Sequence, residues 1–73
     1  MLTYEEHDLK LWIVNTEKYC NLIQNFLNDF GSFKTSVYTI YKSLNNNGLL
    51  HDEFDINEVD YNILFEDLKD YFQ

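Results

Sequence analysis

Apolar residues in the first part of the chain recur every three or four positions, as they do on one face of an α-helix. The stripe extends over residues 9–30, and Thr3 with Glu6 forms a capping box in front of it. Gly31 is a typical residue at which a helix ends. The pattern predicts one long helix over residues 3–30.

An alternative for this segment is a short strand over residues 9–14, followed by a helix that is capped by Asn15 or Thr16. The apolar stripe passes through Trp12, Thr16 and Tyr19 without a change of phase. This continuity favours one helix, straight or bent near Asn15.

The next apolar pattern predicts a second helix over residues 32–46, with Ser32 as its N-cap. Its apolar face consists of residues at helical spacing, namely Phe33, Val37, Ile40, Tyr41 and Leu44. The run Asn45-Asn46-Asn47-Gly48 combines poor helix formers with a glycine, so it ends the helix.

A third helix is predicted over residues 56–72, with Asp55 or Asn57 as its N-cap. Its core stripe is Tyr61, Leu64, Phe65, Leu68, Tyr71 and Phe72. Three apolar residues before it are expected to dock on the core, namely Leu49, Leu50 and Phe54. Three amphipathic helices with short connections predict an all-α fold, a compact three-helix bundle. The predicted helices span about residues 3–30, 32–46 and 56–72, and they form one domain over residues 1–73.

The formal net charge of −8 is unevenly distributed. Residues 1–49 hold five acidic residues and four lysines, a balance of −1, whereas residues 50–73 hold eight acidic residues and one lysine, a balance of −7. Such a field repels nucleic acid and anionic membranes and attracts basic protein surfaces. We therefore predict no direct nucleic-acid binding and no membrane association. The acidic N-terminus differs from a secretory signal, which favours a cytoplasmic location.

Some apolar residues fall outside the predicted core stripes. Val59 and Ile63 are on the far side of the third helix at 100° per residue, among acidic residues, and Leu11 and Leu22 are off the main stripe of the first. Apolar residues surrounded by carboxylates are typical of an interface with a basic, partly apolar groove. The alternative is a wide apolar arc, because each helix of a three-helix bundle contacts two neighbours.

No pattern in the sequence indicates an active site. The acidic segment 52–58 fails the spacing of a calcium loop, because an acidic residue falls where the turn glycine belongs. His7 and His51 have no ligand-spaced partners, and the serines and Cys20 lack the context of a nucleophile. We predict that the protein is not an enzyme and uses no metal and no cofactor.

Two motifs connect the chain to a family. The first comprises Leu11-Trp12, Asn15, Glu17 and Tyr19, and the second is Glu58-Val59-Asp60-Tyr61, which continues as Ile63-Leu64-Phe65-Glu66-Asp67. In these motifs the chain resembles small acidic helical accessory proteins of bacterial phages and plasmids. It departs from their pattern at Thr16, where an acid is expected, and at Tyr61, where Trp is usual. The resemblance implies a mobile-element accessory protein and carries over no catalytic residue.

The motif aromatics also have a purely structural interpretation. Trp12 and Tyr19 are seven residues apart on one helix face, which is two helical turns. They are therefore also suited to form the core against Tyr61 and Phe65.

These observations predict a counter-defence inhibitor of the anti-CRISPR or anti-restriction type, which binds a basic nucleic-acid-binding groove of a host protein complex in the cytoplasm of the bacterial host cell. The absence of Ala, Arg and Pro is typical of proteins from AT-rich genomes and agrees with this source. The expected contact residues are Glu58, Val59, Asp60, Ile63, Glu66, Asp67 and Asp70. The alternative is a non-inhibitory helical adaptor or self-associating module of a mobile element, such as a homodimer, with an interface of Leu11, Leu22, Val59 and Ile63.

Overall fold

The computed structural model describes all 73 residues and contains helices but no strands. α1 spans Tyr4–Asn15, α2 Glu17–Gln24, α3 Phe30–Asn46 and α4 Tyr61–Tyr71, and a 3₁₀ turn over Ile56–Glu58 precedes α4. The predicted all-α fold is confirmed, with four α-helices in place of the predicted three. No helix combines the length and the apolar character needed to cross a bilayer.

The predicted first helix is two helices, because the chain breaks at Thr16. This residue has extended backbone (φ −117°, ψ 112°), and its side chain makes no capping hydrogen bond to α2. Residues 13–16 are Ile, Val, Asn and Thr, all of which have weaker helix propensity than Ala or Leu. The spacing of apolar residues does not reveal this break, because Ile13 before it and Ile23 after it are both buried in the core.

The N-cap of α3 is Asp29, three residues before the predicted cap Ser32. The Asp29 carboxylate accepts hydrogen bonds from the backbone N–H of Ser32 at 3.3 Å and from its hydroxyl at 2.9 Å. Gly31 therefore lies in the first turn of α3, and the preceding helix already ends at Gln24. An aspartate that satisfies a free N–H of the first turn is a favourable N-cap.

The end of α3 agrees with the predicted stop at residue 46. Gly48 has φ +67°, a left-handed conformation that suits glycine, and the Leu49 N–H donates to the Leu44 carbonyl at 3.0 Å. The expectation that Leu49 docks on the core is wrong. Its N–H is held at the end of α3, and its side chain is exposed. Leu50 and Phe54 do pack against the core.

The core contains ten buried apolar residues from all four α-helices and the segment before α4, namely Leu9, Ile13, Ile23, Phe33, Val37, Ile40, Leu44, Val59, Leu64 and Leu68. The ring of Phe33 packs edge-on against that of Phe65, with centroids 4.8 Å apart, which joins the start of α3 to the middle of α4. Tyr71 was predicted in the core stripe but is exposed, because it is the last residue of α4. Its ring lies under the Lys10 ammonium.

α4 starts later than the predicted third helix. The 3₁₀ turn ends at Glu58, and Val59 and Asp60 have extended backbone, with φ −87° and −92° and ψ 119° and 105°. Val59 therefore does not follow the helical phase that placed it on the outer face. It is 7% exposed and belongs to the core, so its predicted surface position is wrong.

Candidate functional site

The acidic residues just before α4 hold the backbone in place. Asp55 caps the 3₁₀ turn by accepting from the Asn57 N–H at 2.9 Å. Asp60 caps α4 by accepting from the N–H groups of Asn62 at 2.9 Å and Ile63 at 3.2 Å. These bonds satisfy backbone donors that have no partner within the helix. Asp55 was a predicted cap, whereas Asp60 was predicted only as a contact residue.

Glu6 is the one buried acidic residue, with 1% of its surface exposed. Its Oε1 accepts from the Thr3 N–H at 3.0 Å, which completes the predicted capping box. Its Oε2 accepts from the Asp60 N–H at 2.7 Å, and the Thr3 hydroxyl donates to the Glu58 carbonyl at 3.3 Å. These bonds tie the segment 1–3 to the start of α4.

The predicted contact residues fall in two adjoining surface depressions. The first, of about 410 Å³, lies between the start of α3 and the segment before α4 and is lined by Glu58, Val59 and Asp60 together with Phe30, Lys34, Asn57, Tyr61 and Asn62. Burial raises the pKa of the Tyr61 phenol, and the nearby phenols of Tyr38 and Tyr41 add to the effect. The Tyr61 phenol is therefore neutral at physiological pH and leaves the carboxylates as the anions of this depression.

The second depression, which we call the α4 cleft, has about 430 Å³ and lies between the N-terminal residues and the outer side of α4. It is lined by Ile63, Glu66, Asp67 and Asp70 together with Met1, Leu2 and Asn62. Asn62 also lines the first depression, so the two adjoin. Ile63 is 44% exposed and is the apolar surface residue that the sequence pattern predicted.

Two of the carboxylates in the α4 cleft have lysine partners. Asp67 forms an ion pair with Lys10 of α1 at 2.6 Å, with both side chains largely covered. Glu66 lies 3.7 Å from Lys69, and this pair is largely exposed. An exposed pair of this kind contributes little, so Glu66 stays available to a partner, whereas Asp67 is held within the fold. Asp70 has no lysine within ion-pairing distance.

Every lysine of the protein is placed over an aromatic ring, with its Nζ 5.1 to 5.9 Å from the ring centroid. The pairs are Lys10 with Tyr71, Lys18 with Tyr19, Lys34 with Tyr61, Lys42 with Tyr38 and Lys69 with Phe65. Of the 13 acidic residues, only Glu66 and Asp67 lie within ion-pairing distance of a lysine. The negative charge of the surface is therefore largely uncompensated within the chain.

Asp29, the N-cap of α3, lines neither of these two depressions. Hydrogen bonds from the side chain and the backbone N–H of Ser32 to the carboxylate lower the pKa of Asp29 below its ordinary value. Its charge is thus retained under mildly acidic conditions, and it serves the start of α3.

The outer side of α1 carries the motif residues Leu11 and Trp12. Leu11 is 43% exposed and Trp12 is half-buried, and together with Asp8 and Asn15 they line a depression of about 330 Å³. Leu22, predicted as a second off-stripe residue, is half-buried against the core. Of the two, only Leu11 is a markedly exposed apolar residue.

The motif aromatics are partly structural. Trp12 and Tyr19 are both half-buried beside the core, and the Tyr19 hydroxyl donates to the Ser43 hydroxyl at 3.4 Å. Phe65, the predicted partner of these aromatics, forms its ring pairs with two phenylalanines of α3. No ring pair joins Phe65 to Trp12 or Tyr19, although all three side chains pack against the core.

Leu2 was missed as a candidate site residue, although the sequence contains a signal for it. An apolar residue directly before an N-cap usually packs against the fourth helical residue. That residue is His7, which is not apolar, and Leu2 lines the α4 cleft together with Ile63 instead.

No three His, Cys, Asp or Glu side chains are grouped in a way that could hold a metal ion. The arrangement of the site is suited to binding cationic groups through carboxylates and apolar groups through Ile63.

Comparison of the chain with protein-family models, with curated proteins and with solved structures finds no match.

Proposed function

We propose that the protein acts by binding rather than by catalysis, and that its acidic C-terminal surface occupies a basic, nucleic-acid-binding groove of another protein. One observation carries the proposal: the chain has 13 acidic residues, and its five lysines all lie over its own aromatic rings. Four of the expected contact carboxylates are exposed, namely Glu58, Asp60, Glu66 and Asp70. A surface of this kind is complementary to lysine- and arginine-rich grooves.

The resemblance to accessory proteins of phages and plasmids supports a more specific form of this proposal. In that form the protein is a counter-defence inhibitor of the anti-CRISPR or anti-restriction type, and it acts in the cytoplasm of a bacterial host cell. Its partner is a protein complex that handles nucleic acid.

The spacing of the carboxylates supports partial mimicry of nucleic acid. Glu66 and Asp70 are one turn apart on α4, with Cβ atoms about 6 Å apart. A DNA duplex carries one charge per roughly 1.7 Å of its axis, so α4 is less densely charged than a duplex. Apolar contact through Ile63 adds to the electrostatic attraction.

Affinity capture from a lysate of a bacterium with an AT-rich genome tests this function. The tagged protein is expected to retain a nucleic-acid-handling protein at low salt and to release it at moderate salt. Added duplex DNA is expected to compete with the tagged protein for the same groove. Retention that DNA and salt leave unchanged would contradict the proposal.

Charge reversal locates the interface. Glu66→Lys with Asp70→Lys is expected to abolish capture with the helical fold intact, because both side chains are exposed. Asp52→Lys with Glu53→Lys makes the same change in net charge elsewhere on the surface and serves as the matched control. Asp67 is left unchanged because a lysine there would face Lys10.

A self-associating module or adaptor is a second candidate, which the exposure of Leu11 beside Trp12 favours. Analytical ultracentrifugation at low and high salt distinguishes the two candidates. A dimer that persists in high salt and is lost in Leu11→Asp supports self-association, whereas a monomer under both conditions excludes it.

A further inference from the structure

The α4 cleft combines apolar walls with carboxylates, which specifies the chemistry of its occupant. Resting on the proposed function, we propose that this cleft is a shallow slot for one lysine or arginine side chain of the partner protein. The aliphatic stem of that side chain lies between Leu2 and Ile63, and its charged head lies at Glu66 and Asp70. The slot thus adds Leu2 to the interface and leaves Asp67 and Val59 out of it.

The backbone segments on the two sides of the slot are tied together before any partner binds. Leu2 adjoins Thr3, whose N–H donates to Glu6 at 3.0 Å and whose hydroxyl donates to the Glu58 carbonyl at 3.3 Å. Glu6 in turn accepts from the Asp60 N–H at 2.7 Å, at the first turn of the helix that carries Ile63. Because the backbone is fixed in this way, binding costs little backbone entropy.

The charged end of the slot fits one cationic head. Glu66 and Asp70 are neighbours on the surface of α4, so one ammonium or guanidinium group can reach both carboxylates. Asp67 on the same side is already paired with Lys10 at 2.6 Å. The nearby Lys69 lies 3.7 Å from Glu66 in a largely exposed pair, which a partner can displace at small cost.

The apolar part of the slot selects a long side chain rather than a small cation. Lysine and arginine carry three or four methylene groups that bury against apolar surface while the charge stays in water. Ile63 is 44% exposed in the free protein and gains cover from such a stem. A hydrated metal ion gains nothing from contact with the apolar side chains, and the cleft has no group of three ligands for it.

An NMR titration of the ¹⁵N-labelled full chain tests the slot. The probe is a short capped peptide with one arginine between glycines, and the control peptide carries neutral citrulline at that position. The arginine peptide is expected to cause saturable shifts of the Leu2, Ile63, Glu66 and Asp70 amides, with roughly fivefold tighter binding than the citrulline peptide. Equal binding of the two peptides, or shifts centred on residues 51–55, would overturn the proposal.

Matched variants separate the two parts of the slot. Glu66→Gln with Asp70→Asn is expected to weaken binding of the arginine peptide roughly fivefold, whereas Asp52→Asn with Glu53→Gln leaves it unchanged. Leu2→Ser is expected to weaken binding about two- to fivefold with every charge retained, and Leu2→Met to preserve it. An unaltered affinity in Leu2→Ser would contradict the slot.

A negative result in the NMR titration and a negative result in the lysate capture reject different proposals. Binding of the arginine peptide at the cleft supports the slot even where capture recovers no nucleic-acid-handling protein, in which case the proposed function alone is rejected. Capture of such a protein together with an unresponsive cleft rejects the slot and leaves the proposed function in place.

Discussion

The start of α4 and its outer side carry carboxylates a few residues apart in sequence, yet these carboxylates have different surroundings. At the start, Asp60 accepts from two backbone N–H groups and its own N–H donates to Glu6. On the outer side, Glu66 has one distant lysine and Asp70 has none. The first group stabilises the fold, and the second is free to bind a partner.

This difference shows that net charge alone overstates the charge available for binding. An acidic residue ahead of a helix meets free backbone N–H groups, whereas one in the middle of a helix meets none. Position relative to the helix start therefore decides whether a carboxylate caps the backbone, whereas Asp67 in the middle of α4 is held by its ion pair with Lys10.

The largest contrast is expected between the two sides of α4 itself. Leu64→Ala removes a fully buried side chain and is expected to cost about 2–5 kcal/mol in the free energy of unfolding. Ile63→Ala, at the neighbouring exposed position, is expected to change it by no more than about 0.5 kcal/mol. Urea denaturation of both variants measures the difference, and equal losses would show that Ile63 is part of the core.

Removal of a buried carboxylate is expected to have the next largest effect. Glu6→Ala leaves the N–H groups of Thr3 and Asp60 without their acceptor and is expected to cost about 1–3 kcal/mol. Amide hydrogen exchange at Asp60 is expected to accelerate in this variant. Glu66→Ala is the matched control, and a similar loss in both variants would contradict the division between structural and available carboxylates.

Loss of an N-cap gives a smaller effect. Asp60→Ala is expected to destabilise the protein by about 1 kcal/mol, because the N–H groups of Asn62 and Ile63 lose their acceptor. Asp70→Ala removes the same charge without removing a cap, so its midpoint of urea unfolding is expected to stay close to that of the parent protein. A larger loss in Asp70→Ala than in Asp60→Ala would reverse the distinction.

The smallest effect concerns the pH dependence of Asp29, the N-cap of α3. Hydrogen bonds from Ser32 lower the pKa of Asp29 in the folded state below the ordinary 3.8. Its contribution to stability is therefore fully present above that ordinary pKa and is lost as the pH falls through the lower folded-state value. Ser32→Ala is expected to raise the pKa of Asp29 toward 3.8.

An NMR titration of the Asp29 carboxyl carbon measures this shift. Thr35→Ala is the control, because the Thr35 hydroxyl donates to the Gly31 carbonyl and not to Asp29. The pKa of Asp29 is expected to be the same in this control as in the parent protein. An unchanged pKa in Ser32→Ala would show that the Ser32 hydroxyl does not determine it.

Local patterns in the sequence predicted the all-α fold, the capping box of Thr3 and the end of α3, because each depends on residues a few positions apart. They allowed a bend near Asn15, and a helix capped at Thr16 only as the alternative, because apolar residues on both sides of the break still reach the core. Asp29 and Ser32 are both good N-caps, and only the packed structure selects the first.

The candidate site was predicted in part for the same reason. Charge and helical phase placed Ile63, Glu66 and Asp70 on an outer surface, where the structure also places them. Helical phase failed for Val59 because that residue precedes the helix. Leu2 and Ile63 are far apart in sequence, so no local pattern brings them to one cleft.

The hydrogen bond between Glu6 and Asp60 joins residues 54 positions apart, and it therefore closes most of the chain into a loop. Contacts of such sequence separation form after the local helices, because the entropy of loop closure opposes them. A partner seated in the α4 cleft would contact both ends of this loop and bind only the closed chain. At concentrations above its Kd, its binding would thus raise the free energy of unfolding with the logarithm of its concentration.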